Sequence, residues 1–178
     1  MRLISETIRS VPPSPSKPWQ NRIVLGCWAA KYLSLCSRYL PGFPVSHIGF
    51  SVLVASYFFT VPNVSFNMNQ AVLMPPWGKA FIRKAHRDRR PVYAWTVNDE
   101  RRMRWDIQQG LDGVITDNPE LFLEVRRGWH EGTKHGLSIR DWLDVIRVNC
   151  FALIFSILFQ LMFGFGKDKR LVKIKQAA

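Results

Sequence analysis

The stretch PVYAWTVNDERRMRWDIQQGLDGVITDNP, from Pro91 to Pro119, reads as strand, helix, strand. Val92 to Val97 is short, apolar and β-prone, and it ends on polar Asn98 and Asp99. A charged helix is predicted from about Glu100 to Gln109, with Asp99 placed to cap its first turn and Gly110 to end it. Asp112-Gly113 makes a turn, and Val114-Ile115 is strand-like again. Asn118-Pro119 has the form of an N-cap followed by proline at the first helical position. Two parallel strands joined by a helix need about this much chain, and their polar groups collect at the strands' C-terminal ends.

Working outward, candidate strands begin near Ile23, Pro44, Val64, Val92 and Gly113, at intervals that each hold one β/α unit. Between them Ala29 to Tyr39, Ser51 to Phe59, Trp77 to Asp88 and Glu100 to Gln109 are predicted helices, and Pro41-Gly42 and Pro75-Pro76 punctuate the joints. After Pro119 an amphipathic helix runs to about Arg127. Spacing alone permits either part of a barrel or a doubly wound sheet.

WTVND (Trp95 to Asp99) followed by GLDGVITDNP (Gly110 to Pro119) resembles the final two strands of glycerophosphodiester phosphodiesterase domains. RIVLGCW (Arg22 to Trp28), FPVSHIGFS (Phe43 to Ser51) and VSFNMN (Val64 to Asn69) support the likeness. Within that family the chain most resembles the fungal phosphatidylglycerol phospholipase C group. The resemblance covers about residues 19 to 130 and only the family's C-terminal half. It implies a partial (β/α)8 TIM-type barrel of about five β/α units. A whole barrel takes about 250 residues, and the chain has 178.

The resemblance also implies phosphodiester hydrolysis. Such cleavage needs a general base, a general acid and a cation against the growing phosphoryl charge. The family supplies the proton-transfer groups from histidines, one of them in an HRG-like motif, and holds a divalent metal with carboxylates that include an ExD pair. Neither HRG nor ExD occurs in this sequence. The strand ends offer Cys27, Trp28, His47, Ser51, Asn67, Asn69, Trp95, Asn98, Thr116 and Asp117, a set rich in amides and aromatics and poor in carboxylates. No catalytic residue and no metal ligand is assigned. His47 is the one histidine near a strand end, and His86, His130 and His135 lie elsewhere. By similarity Trp95 borders the substrate pocket beside the glycerol or lipid portion; a barrel-filling aromatic is the other reading. Asn98 and Asp117 are the remaining substrate-side candidates, with loop and capping roles as the alternative.

The net charge of +12 favours phosphate-bearing partners. The basic run RKAHRDRR (Arg83 to Arg90) closes a helix before a strand, so it faces the barrel's N-terminal side as a solvated face and does not read as a nucleic-acid site. Cys27, Cys36 and Cys150 lack CxxC spacing and suggest neither a zinc site nor a disulfide framework. Residues 1–18, with VPPSPSKP at Val11 to Pro18, read as a disordered Pro/Ser-rich leader. Residues 131–137 form a connector. Ser138 with Asp141 resembles a capping box and opens a hydrophobic segment, residues 138–166.

Within that segment, Val145 to Phe165 carries one charge, Arg147. As a helix its length would be about 30 Å, the thickness of a bilayer core. Membrane association is expected, by spanning or by lying in one leaflet, with a buried core helix as the alternative. The basic tail, 167–178, favours anionic head groups and places the barrel domain on the cytosolic side.

The sequence thus predicts a membrane-associated phosphoric diester hydrolase of glycerophospholipid metabolism, phosphatidylglycerol phospholipase C-like and releasing diacylglycerol. It reads as a shortened chain without the family's catalytic motifs and inactive alone. The alternative is a non-catalytic, membrane-anchored lipid- or protein-binding remnant. Anionic glycerophospholipids are the expected partners, and open barrel edges would invite self-association.

Overall fold

The computed structural model describes residues 1–130 and 138–163, the last five as backbone only. Five parallel strands, β1 (Leu25–Cys27), β2 (Val45–Gly49), β3 (Val64–Asn69), β4 (Val92–Trp95) and β5 (Gly113–Val114), lie side by side in chain order. A doubly wound sheet reverses its strand order at a switch point. Here no reversal occurs among the five strands, so the sheet is an arc of a (β/α)8-type barrel. The strands begin within two residues of the predicted starts at Ile23, Pro44, Val64, Val92 and Gly113.

Helices cross between the strands: α2 (Lys31–Tyr39), α3 (Val52–Tyr57), α4 (Gln70–Leu73), α5 (Pro76–Arg87) and α6 (Glu100–Gln108), with α7 (Pro119–Arg127) after β5. Side-chain caps near the strand ends set the starts of α3, α4, α6 and α7. Ser51 Oγ accepts from the Val54 amide at 3.4 Å, Asn69 Oδ1 from Ala71 at 3.0 Å, and Asn118 Oδ1 from Leu121 at 3.1 Å. Asp99 Oδ1 accepts from Arg101 and Arg102 at 3.0 and 3.2 Å, as its position predicted.

Strand periodicity sorts side chains between two faces. Phe66 meets Phe59 and Phe81 with ring centroids 4.8 Å away in each case, and Cys27 Sγ lies 3.5 Å from Cys36 Sγ of α2. These residues therefore face the helices. In a parallel pair, residues in register share a face, so Val45, His47 and Gly49, then Val92 and Ala94, join them on that side. The opposite, inner face carries Gly26, Ile48, Asn67, Tyr93 and Trp95. The core lies between strands and helices, where Val64, Phe66, Met68, Val92 and Ala94 are buried.

The leader, read from the sequence as disordered, opens on a helix. Helix α1 (Arg2–Ser10) packs beside the end of α2, where Ser5 Oγ donates to the Tyr39 carbonyl at 2.9 Å and Arg9 reaches the same oxygen at 3.3 Å. These bonds satisfy a carbonyl that a helix end leaves open. Trp19 Nε1 then ties the following Pro/Ser stretch back through Val11 O at 2.8 Å.

The hydrophobic segment also departs from expectation. It forms α8 (Ile139–Phe163), yet among the described residues no helix is long and apolar enough to cross a membrane. Polar side chains on its inward stripe dock it against the protein. Arg102 of α6 pairs with Asp141 at 3.1 Å and Asp144 at 2.9 Å, and Asn149 donates to the Ala71 carbonyl at 2.8 Å. Ser156 Oγ meets Ser51 Oγ at 2.8 Å, and Val145 and Ala152 are buried on the same stripe. The capping box is present: Ser138 donates through both its amide and its hydroxyl to Asp141 Oδ2, and its Oγ accepts from the Asp141 amide. The connector at 131–137 and the basic tail at 167–178 lie outside the described residues.

The basic run covers the last turns of α5 and the joint that leads into β4, at the N-terminal ends of the strands, as predicted. Arg90 is not simply solvated, however. Its guanidinium donates to Phe58 O and Phe59 O at 3.0 and 3.1 Å.

The two faces predict different mutational costs. Phe66→Ala is expected to lower stability by about 3–5 kcal/mol, the range for emptying a core aromatic site. Asn67→Ala, the next residue but on the inner face, should cost less than about 1 kcal/mol. Urea denaturation of both variants measures this, and equal losses would contradict the assignment of faces.

Candidate functional site

The reacting groups of a parallel barrel stand at the C-terminal ends of its strands. Here much of the polar chemistry at those ends is occupied by capping. Ser51, Asn69 and Asn118 each hold a helix start. What remains is an aromatic pair and an amide–carboxylate bridge.

Trp95 is half-buried on the inner face at the end of β4. Its Nε1 donates to the Asn67 carbonyl at 3.0 Å, which fixes the ring toward β3. Trp28, just beyond β1, meets it edge-on, with ring centroids 5.8 Å apart. Trp28 is 55% exposed, so the pair presents aromatic surface at the inner rim of the arc. At Gly26, two residues earlier on the same face, an added Cβ would come within 2.6 Å of Ile48 Cδ1, so that side-chain end would have to move aside.

Asn98 and Asp117 come together. Asn98 Nδ2 donates to Asp117 Oδ2 at 2.7 Å, while Asn98 Oδ1 accepts from the Thr116 hydroxyl and the Asp117 amide at 3.0 and 2.9 Å. The loop after β4 is thereby tied to the loop after β5, and both side chains remain exposed. Trp95 is held by other partners, so the three predicted substrate-side residues form a ring at the end of β4 and a bridge between the loops after β4 and β5 rather than one cluster. Trp28 was legible as a strand-end residue, and its alternation with Gly26 put it on Trp95's face.

His47 lies on the other side of the sheet. It is 1% exposed and stacks on Phe58 with ring centroids 3.9 Å apart. Burial pulls its pKa down to about 4, against a weaker upward pull from the Cys27 backbone. A neutral imidazole facing the helices does not act over the inner rim. Asp106 on α6 is a second buried titratable group. Burial pushes its carboxyl up to about 8, with Gln70 and Arg102 pulling the other way. It too is enclosed in the helical layer, 1% exposed.

The divalent metal that the family resemblance implies does not fit this donor set. Among the described residues no three His, Cys, Asp or Glu side chains gather at one point. At the inner rim the carboxylate of Asp117 is bonded to an amide, and the neighbouring groups, Asn67 and Asn98, are neutral. The cation-holding and proton-transferring parts of a phosphodiester cleavage are not assembled by these residues.

Between the ends of β1 and β2 and the flank of α8 lies a cavity of about 260 Å³. Trp28, Ile48, Phe50, Val54, Phe58 and Phe155 form most of its wall. Phe155 is held against Phe50, their centroids 5.2 Å apart, beside the Ser51–Ser156 hydrogen bond.

Residues 3–121 match the glycerophosphoryl diester phosphodiesterase family. No curated protein matches the chain at a significant level. Among solved structures, a protein assigned as a glycerophosphoryl diester phosphodiesterase from Silicibacter pomeroyi DSS-3 superimposes with a TM-score of 0.52 at 19% identity. The match covers 60% of this chain and 38% of that one, so the likeness concerns the fold of a portion.

The two buried groups predict opposed pH effects. The unfolded chain protonates His47 below its ordinary 6.5, while the folded chain resists until about 4. His47's contribution is therefore complete above 6.5 and lost as the pH falls toward 4. Asp106 ionises at 3.8 when unfolded and at about 8 when folded, so its contribution is lost as the pH rises through 8. Between pH 6.5 and 8 only the Asp106 effect remains of the two. Wild-type stability should fall across that window, and Asp106→Asn should remove the fall and steepen the acid-side loss. Denaturation midpoints from pH 4 to 9 read this directly; a variant profile parallel to wild type would contradict it.

Proposed function

The chain belongs to the glycerophosphoryl diester phosphodiesterase family, and on that premise we propose that it is the substrate-side portion of a phosphoric diester hydrolase acting on glycerophospholipids. The observation that carries the reading is the family match over an arc whose inner rim presents Trp28 and Trp95 beside the Asn98–Asp117 bridge. The aromatic pair offers a flat apolar surface for the glycerol and lipid portion of a substrate. The bridge offers an exposed carboxylate to accept from a glycerol hydroxyl and an amide within reach of a phosphate ester.

Phosphatidylglycerol is the first substrate proposed, cleaved on the diacylglycerol side of its phosphate as in the fungal phosphatidylglycerol phospholipase C group. Its proton transfers and its cation need groups beyond those of this arc, because HRG and ExD sequences are missing from the 178 residues and His47 faces away from the rim. By itself the chain binds without cutting, which is also the second reading: a lipid- or protein-binding module without catalysis. Closed barrels of this type have eight strands, and the edges of β1 and β5, unpaired among the described residues, are where further β/α units or a second copy would pair.

Membrane association is part of the proposal. Helix α8 exposes Ile146, Leu153, Ile154, Ile157 and Leu158, each about half accessible or more, on the side away from its docking stripe. The chain's net charge of +12 suits an anionic surface. An interfacial helix lying in the head-group region, with the barrel arc on the cytosolic side, accommodates both.

Vesicles of phosphatidylglycerol with and without a divalent cation test the proposal. The 178-residue chain should cosediment with them and release no diacylglycerol above the protein-free control. Metal-dependent release would show that the chain is a complete catalyst, and failure to cosediment would remove the lipid reading.

A further inference from the structure

We propose that the cavity between the ends of β1 and β2 and the flank of α8 seats one esterified acyl chain of a glycerophospholipid, with Phe155 as its outer wall and Trp28 at its mouth. The inference rests on the lipid reading above and adds the site that would separate a diacyl substrate from a deacylated diester.

Size and lining favour hydrocarbon. The volume of about 260 Å³ exceeds the roughly 150 Å³ of an apolar protein cavity that takes up benzene. The wall is formed by aromatic and aliphatic side chains, Ile48, Phe50, Val54 and Phe58 among them. The polar groups nearby have little to offer a charged ligand. Ser51 Oγ is engaged with Ser156 Oγ at 2.8 Å, and the same Ser156 hydroxyl lies 2.6 Å from the Ala152 carbonyl. A phosphate placed here would lose its hydration without gaining a cation, a cost of several kcal/mol by order of magnitude.

The His47 ring also forms part of the wall, but its two nitrogens are buried away from the open space, so no imidazole donor or acceptor faces the cavity.

The mouth points the rest of the lipid the right way. Trp28 lines the cavity and touches Trp95 on the inner face. A chain seated behind Trp28 leaves its glycerol beside the tryptophan pair and its phosphate over the strand ends. The outer wall exists because α8 is docked: Ser156 holds Phe155's turn of the helix to Ser51, and Arg102 fixes the helix start through Asp141 and Asp144.

The test compares monomeric dihexanoyl-phosphatidylglycerol with its deacylated counterpart, glycerophosphoglycerol, by calorimetric titration of the full chain. The acylated ligand should bind at least tenfold tighter. Val54→Trp, which fills the cavity, should erase that gain and leave glycerophosphoglycerol binding as it was. Phe155→Ala, a change on the face of α8 that leaves the core intact, should erase it by opening the wall, and thermal unfolding checks that both variants are folded. Equal binding of the two ligands to wild type would overturn the acyl site while leaving the head-group reading in place. A tenfold gain that survives both variants would also overturn it and move the chain to the outer face of α8. No binding of either ligand would overturn the site and the lipid reading together.

Discussion

The two-residue period of the parallel strands is the constraint on which the rest depends. Once Phe66 packs between Phe59 and Phe81, register alone assigns every neighbour to a face. His47, two strand positions before Gly49 and level with Phe66, must then point into the helical layer. Trp95, level with Asn69, must point inward. A slip of one residue would exchange the two sets and bury polar Asn67 in place of Phe66. The same packing that stabilises the sheet therefore removes its one strand-borne histidine from the rim and leaves an aromatic surface there.

A second constraint comes from the helix starts. Each crossover helix needs partners for its first amides, and for α3, α4, α6 and α7 short polar side chains at this end of the sheet supply them. Ser51, Asn69, Asp99 and Asn118 are all held in this way. Asn98 and Asp117 are left to join two loops, and their mutual bond places an amide and a carboxylate on the surface together. The rim is accordingly equipped to touch a polar, hydroxyl-bearing ligand and an apolar one side by side. Among the described residues no histidine and second carboxylate gather with Asp117 at the rim. Helix α8 adds the apolar flank through contacts spread along its length, from Asp141 to Ser156.

Much of this was legible in the residues. Strand starts, the cap at Asp99, Pro119 at the head of α7 and the Ser138–Asp141 box depend on neighbours a few positions apart, and all take the predicted form. The family followed from the WTVN and GVITD loops, whose side chains are in contact through Asn98 and Asp117. What failed depended on distant partners. Helix α4 is four residues long, too short for a helical period to show, and is buried between β3 and α8. Helix α1 is ordered by the Tyr39 carbonyl, 34 residues from Ser5. The docking stripe of α8 hides in a segment apolar on all sides, because its decisive partner, Arg102, stands 39 residues before Asp141. The face of His47 needed the register, which no single strand reveals.

The central claim is that this arc carries a lipid-facing rim without the ligands that hold a catalytic cation. Titrating the 178-residue chain with Mn²⁺ and following the free-ion signal by electron paramagnetic resonance tests it most directly. The account predicts that the signal of added Mn²⁺ stays at its protein-free amplitude at equimolar protein and ion, with glycerophosphoglycerol present or not. A stoichiometric loss of signal at micromolar ion, reversed by Asp117→Asn, would contradict it.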